Sequence, residues 1–238
     1  MRKLLGIWVV CMLVATSGIK AGEADKLFYA LRTKVLTVKD YTADVRMKID
    51  INRMKIPQLK GTLFFKSPNK MRLERHGGLS ILPKKNINLT LSNLMPAGNV
   101  TVIDAGSAVI DGKKVRIIKV IPEDDMGQII LSKLWIDEAN MLILKTETTS
   151  RNDGTIAMDL TFGKYASYAL PDHVTITMDV KDYKLPKGIT MDYNDTPPPP
   201  PKDPKEKKPK TQKGTIQINY LSYTINKGIP DAKFADKE

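Results

Sequence analysis

Residues 41–52 read Y-T-A-D-V-R-M-K-I-D-I-N, and residues 61–75 read G-T-L-F-F-K-S-P-N-K-M-R-L-E-R. In the first run Val45, Met47, Ile49 and Ile51 alternate with Asp44, Arg46, Lys48 and Asp50. Strict alternation sends the apolar side chains to one face of a strand and the charges to the other. The second run carries the same apolar face through Leu63 and Phe65, with Phe64 on the opposite side. Ser67-Pro68-Asn69 breaks it, as proline and asparagine do at turns. Met71 and Leu73 then resume the pattern between Lys70, Arg72 and Glu74. The whole predicts an antiparallel meander with one apolar and one charged face. Pairing within it is expected to bring Met47 and Phe65 near each other.

The same alternation recurs downstream. Ala108–Asp111 and Lys114–Pro122 flank an Asp-Gly step, a hairpin signal. Ile129–Asp137 and Met141–Thr148 predict a second hairpin turning at Glu138-Ala139-Asn140. Ile156, Met158, Leu160 and Phe162 share one face of a strand over 155–162, turned in by Asn152-Asp153-Gly154. After Leu170-Pro171, Val174, Ile176, Met178 and Val180 repeat the motif, and Gly214–Asn226 closes the chain with Ile216, Ile218 and Tyr220. Helical spacing occurs in two places. Over 23–38, Leu27, Phe28, Leu31 and Val35 form one stripe, with Glu23 and Asp25 near the start, where the helix dipole favours acid. Over 86–95, Ile87, Leu91, Leu94 and Met95 can share a face, with Asn86 as cap and Pro96-Ala97-Gly98 as stop.

The chain begins with a basic pair, Arg2 and Lys3, an apolar core from Leu4 to Ala15, and the small residues Ser17, Gly18 and Ala21. This is the layout of a secretory signal peptide, and the apolar run is shorter than the roughly 20 residues of a membrane span. Cleavage is expected after Ala21, with Ser17 as the alternative. Cys11, the single cysteine, lies inside that segment behind Val9-Val10, without the small residue that lipid attachment wants before it. The mature domain, residues 22–238, therefore has no disulfide, thiol nucleophile or thiolate metal site. Export without cysteine suits a bacterial periplasm. Length favours one domain.

The full chain carries a formal charge of +12. Residues 196–213 concentrate part of it: seven prolines and six lysines, with no aliphatic or aromatic side chain. Such a segment has nothing to bury and predicts an exposed, polyproline-rich insertion, able to span roughly 55 Å. It reads either as a solvated loop or as a tether to an anionic membrane surface. The remaining basic residues are spread along strand faces without the aromatic interleaving of a nucleic-acid module, so no nucleic-acid partner is expected. Two histidines, His76 and His173, stand apart, and no metal-ligand or nucleophile motif occurs. Glu123-Asp124-Asp125 reads as a solvated acidic turn rather than a cation site. No enzyme and no cofactor is expected.

The residues alone leave two architectures open. Successive apolar faces can fill a sandwich or barrel core, or a half-open sheet can be lidded by helices around an apolar ligand.

Four stretches resemble the LolA/LolB-like family of periplasmic carriers that sort outer-membrane lipoproteins. Tyr41–Val45, Y-T-A-D-V, resembles the family's opening strand. Gly61–Arg72, G-T-L-F-F-K-S-P-N-K-M-R, resembles its G-x-L-x-[FW]-K-x-P-x-x-x-R core. Leu134–Asp137, L-W-I-D, resembles its strand-turn hallmark, and Leu170-Pro171 its late L-P step. The carriers commonly place an arginine before that first proline; Ser67 stands here. The resemblance implies an incomplete, strongly curved antiparallel barrel, mainly β, with helices covering the concave face. It also implies a non-enzymatic carrier or sensor of lipid chains, chiefly lipoprotein acyl groups, released by a partner protein of the inner or outer membrane. Val45, Met47, Ile49, Leu63, Phe65, Met71 and Leu73 are then the expected lining, and Leu91, Leu94 and Met95 the lid. The competing reading is an envelope interaction protein with a filled core that works through residues 196–213.

Overall fold

The computed structural model describes residues 21–51, 54–55, 57–77, 95, 98–124, 127–151, 154–180 and 212–235. They form one α-helix and one antiparallel sheet. The elements in chain order are α1 (Ala21–Leu36), β1 (Asp40–Ile51), β2 (Met54–Lys55), β3 (Leu59–Lys66), β4 (Lys70–Arg75), β5 (Val100–Ile110), β6 (Lys113–Pro122), β7 (Ile129–Asp137), β8 (Leu142–Ser150), β9 (Gly154–Thr161), β10 (His173–Val180) and β11 (Gln212–Ile225). The signal peptide apart from Ala21, the expected helix over 86–95 apart from Met95, and residues 196–211 of the expected insertion lie outside the described residues, while Gln212 and Lys213 belong to β11.

The sheet runs β4-β3-β1-β11-β10-β9-β8-β7-β6-β5, with β2 as a short addition to β1. The last strand thus pairs with the first, and the chain's two halves meet along the β1–β11 seam. The edge strands β4 and β5 do not pair with each other among the described residues, so the sheet is a curved, incomplete barrel. Among the described residues the sheet neither closes on itself nor divides into two.

Local chemistry explains the turns. Asp111 and Gly112 both have positive φ, 48° and 76°, the geometry of the tight hairpin turn that joins β5 to β6. At the β7–β8 turn Asp137, buried at the end of its strand, accepts bonds from the Asn140 backbone N–H (3.1 Å) and side-chain amide (2.8 Å). The acid of the L-W-I-D motif is therefore the clasp of a hairpin. The Lys133 and Lys145 ammonium groups lie 4.4 and 5.1 Å from the Trp135 ring.

α1 lies on the concave face. Phe28 and Leu31 are fully enclosed there, with Ala24 and Val35, against Ile118, Leu134, Ile136, Ile143 and Met158. Burying each of the two large side chains contributes about 1.5–3 kcal/mol. Polar ties fix both ends of the helix. Arg116 pairs with Asp104 and reaches Glu23 at 3.8 Å and Glu138 at 3.7 Å. Near the other end, Lys34 donates to the Asn140 carbonyl at 2.7 Å. The opposite face of β3 and β4 carries the C-terminal segment as a strap. Lys66 binds Asp231, Arg72 donates to the Lys233 and Ala235 carbonyls, and the Lys233 ammonium sits over Phe64.

Candidate functional site

The pairing register assembles the apolar face row by row. Phe65 lies opposite Tyr41, Leu63 opposite Ala43, Gly61 opposite Val45 and Leu59 opposite Met47. On the far side of β1 the rows continue into β11: Val45 to Tyr220, Met47 to Ile218 and Ile49 to Ile216. From there they pass to Val174 and Ile176 on β10, then to Leu160 and Met158 on β9. At the outer edge, Met71 and Leu73 face Phe65 and Leu63, and Arg75 faces Gly61. Gly61 is required: a Cβ there would lie 2.5 Å from the Glu74 carbonyl oxygen.

Two packed clusters share this face. One lies under α1. The other gathers Val38, Tyr41, Ala43, Val45, Leu63, Phe65, Leu170 and Tyr223. Ile218 and Tyr220 pack against both. The second cluster has an aromatic centre. Tyr41 stacks on Phe65 at 5.0 Å, while Tyr223 meets Tyr41, Tyr165 and Tyr220 at 4.9–5.3 Å. The Tyr223 hydroxyl donates to the Pro171 carbonyl at 2.7 Å. Burial raises the Tyr223 phenol pKa far above its ordinary value, and raises those of Tyr41 and Tyr220 as well.

Of the residues expected to line a cavity, Val45, Ile49, Leu63 and Phe65 are buried, whereas Met47, Met71 and Leu73 are half-buried. All seven are on the one face. Met95 is buried, but it packs in the cluster under α1 rather than over the meander. Leu91 and Leu94 lie outside the described residues. One expectation is corrected. Met47 and Phe65 do not meet: Met47 pairs with Leu59 and Phe65 with Tyr41. The hairpin between β1 and β3 is wide, so the two side chains lie about six residues, roughly 20 Å, apart along the strands.

Tyr41, Tyr220 and Tyr223 were not among the expected lining residues. The regular alternation of Ile216, Ile218 and Tyr220 assigns Tyr223 to the opposite face. The structure turns it inward because Asp44 pairs with Ser222 and Val45 with Tyr220, which leaves Leu221 as the extra residue of a bulge. Leu221 is accordingly 53% exposed.

The histidines are on hydrogen-bond duty. His173 contacts Asn219 at 2.8 Å and Thr175 at 3.0 Å, and His76 contacts Thr62 at 2.9 Å. No group of three metal-ligating side chains occurs among the described residues.

A domain described as an outer membrane lipoprotein-sorting protein, from Vibrio parahaemolyticus, superposes with a TM-score of 0.55 at 10% identity, over 90% of this chain and 97% of its own. The fold is LolA-like. A LolA superfamily protein from Nitrosomonas europaea has the same coverage at a TM-score of 0.52 and 9% identity. A DUF1329 family protein from Desulfovibrio piger matches at 0.53 and 11%, again with that coverage. No protein-family model matches the chain, and no curated protein matches it by sequence. In the LolA-like frame the apolar rows line the inner wall of the curved sheet, and α1 covers one part of that wall.

Proposed function

We propose that the protein is an exported, non-enzymatic carrier or sensor that holds lipid acyl chains, chiefly those of lipoproteins, against the inner wall of its open barrel. The observation that carries this reading is the band of half-buried apolar side chains beside the footprint of α1. Met47, Met71, Leu73, Ile216, Ile218 and Met178 lie on one face and keep part of their surface accessible. In a filled core such side chains would be enclosed as Phe28 and Leu31 are. Each methylene that moves from water onto this surface is worth about 0.8 kcal/mol, so one long chain is held without any polar contact. Methionine adapts to varied shapes, which suits cargo of variable structure. The LolA-like fold and the amino-terminal segment, with its signal-peptide layout, are in accord with a periplasmic site of action.

The test is purification without detergent, followed by solvent extraction, mass spectrometry and titration with a fluorescent fatty acid. Co-purifying lipid, or saturable binding of the probe, is expected. Absence of both would overturn the carrier reading. Retention of binding after deletion of residues 196–211, which leaves β11 intact, is expected as well, since those residues contribute no aliphatic or aromatic side chain.

A further inference from the structure

The inner wall carries a cation that chain binding alone does not use. Arg75 ends β4 on the apolar side, in line with Met71 and Leu73 and opposite Gly61. Its Nε and Nη1 are buried and have no hydrogen-bond partner among the described residues. Two other part-buried arginines of the sheet are paired. Arg72 donates to the Lys233 and Ala235 carbonyls, and Arg116 is held by Asp104. A long basic side chain at a sheet edge ordinarily lays its stem on apolar surface and puts its head in water. At Arg75 the head itself is partly withdrawn from water, and burying an unpaired charge is among the costliest arrangements a fold can hold.

The neighbouring residues of its row offer the guanidinium no anion. The cross-sheet row through Arg75 continues to Gly61, Val45 and Tyr220. Gly61 presents no side chain, and the Glu74 carbonyl forbids one there. Gly61 and Val45, next along the row, carry no group that could pair with the guanidinium, which stands at one end of the apolar rows.

We infer that Arg75 is the head-group site of the acyl ligand. Its guanidinium pairs with an oxyanion, the carboxylate of a fatty acid or the phosphate of a phospholipid, while the chain lies over Leu73, Met71 and Leu63. A planar guanidinium matches either oxyanion in a two-point pairing. The inference rests on the carrier reading and adds to it a preference for acid-headed chains.

The experiment measures displacement of a fluorescent fatty acid from the mature protein by four competitors. These are a long-chain fatty acid, its methyl ester, a lysophosphatidic acid and the matching monoacylglycerol. The wild type is expected to bind each acid at least about ten-fold more tightly than its neutral counterpart, as a charge-assisted hydrogen bond implies. Arg75→Met should erase the difference and leave the affinity for the neutral chains unchanged, while Arg75→Lys should keep part of it. The larger Arg75-dependent difference identifies the carboxylate or the phosphate as the preferred head. Without ligand, Arg75→Met should melt no lower than the wild type. Equal binding of acids and neutral chains by the wild type, survival of the difference in Arg75→Met, or a lowered melting temperature would each overturn the head-group site and leave the carrier reading standing. Failure of every probe to bind the wild type would instead overturn the carrier reading itself.

Discussion

Asp40 and Asn226 lock the first strand to the end of the last by binding each other's flanking backbone. Asp40, buried at the start of β1, accepts from the Lys227 N–H at 3.0 Å and the Gly228 N–H at 3.1 Å. Asn226 accepts from the Lys39 N–H at 2.7 Å and donates to the Thr37 carbonyl at 3.1 Å. Its own N–H reaches the Asp40 carbonyl at 2.8 Å. The knot sits where α1 hands over to β1, so it also sets where the helix lies on the sheet.

Asp40→Ala deprives the two N–H groups of their carboxylate partner. With charged hydrogen bonds worth about 1.5–3 kcal/mol, the expected loss of stability is about 2–3 kcal/mol. At about 2–4 °C per kcal/mol for a chain of this size, the melting temperature should fall by about 5–10 °C. Calorimetry on the two proteins checks it, and a shift below about 2 °C would show that water replaces the carboxylate.

Much of this architecture is legible in the sequence, for physical reasons. One half-buried sheet imposes a period of two, so Val45, Met47 and Ile49, or Ile156, Met158 and Leu160, declare their face by alternation alone. Turns declare themselves where φ must be positive, as at Asp111-Gly112. What alternation does not carry is a change of phase. The bulge at Leu221 moves Tyr223 to the inner wall and makes it a hub of the second cluster. Strand pairing at long range is equally silent. Nothing local in 41–52 or 212–225 says that these strands are neighbours, although their seam joins the two ends of the chain. Arg75 was hidden for a related reason: its place on the apolar face follows from its register with Gly61 and Leu73, while its charge at the end of a strand reads as solvated.

Polar side chains under the helix allow a prediction of opposite sign. Ser132, Thr146 and Thr148 are buried on β7 and β8. Ser132 and Thr148 share a hydrogen bond of 3.2 Å, but Thr146 Oγ1 has no partner among the described residues. Thr146→Val keeps the shape and removes the unsatisfied hydroxyl. It should stabilise the protein by about 1 kcal/mol, whereas Ser132→Ala should destabilise it by a similar amount. Denaturant melts of both variants decide; a destabilised Thr146→Val would mean that the hydroxyl is satisfied in solution.

The aromatic centre makes the fold sensitive to alkali. Burial raises the phenol pKa of Tyr41, with Tyr220 adding to it. Tyr223 is raised by burial first, then by Tyr220, Tyr41, Asp172 and Tyr165. In the unfolded chain both ionise near pH 10. Below that pH each phenol is protonated in both states and the contribution is fully present. Above it the unfolded state holds fewer protons than the folded one, so stability falls as pH rises. The slope is about 1.4 kcal/mol per pH unit for each tyrosine, about 3 for the pair. Urea melts at pH 9, 10 and 11 should show this, and Tyr41→Phe should remove about half of the pair's slope. An unchanged slope in that variant would mean that Tyr41 ionises as readily folded as unfolded.

Met47 and Phe65 separate the ligand surface from the structural core. Phe65 is 5% exposed and stacks on Tyr41 in the second cluster. An arginine there would bury an unpaired charge and break the aromatic packing, a cost of several kcal/mol. Phe65→Arg should therefore be insoluble or melt without cooperativity. Met47 lies six residues farther along β1, half-buried between Leu59 and Ile218. Part of its surface is accessible, so an arginine there can turn its head toward water while its stem stays on the wall. Met47→Arg should remain soluble, melt cooperatively about 1–2 kcal/mol below the wild type, and lose the bound acyl chain, because the charge now occupies the apolar band. Binding of the fluorescent fatty acid at wild-type strength would place the chain elsewhere on the wall. An insoluble Met47→Arg would mean that this part of the face is closed core, and the band of half-buried side chains would no longer support a carrier.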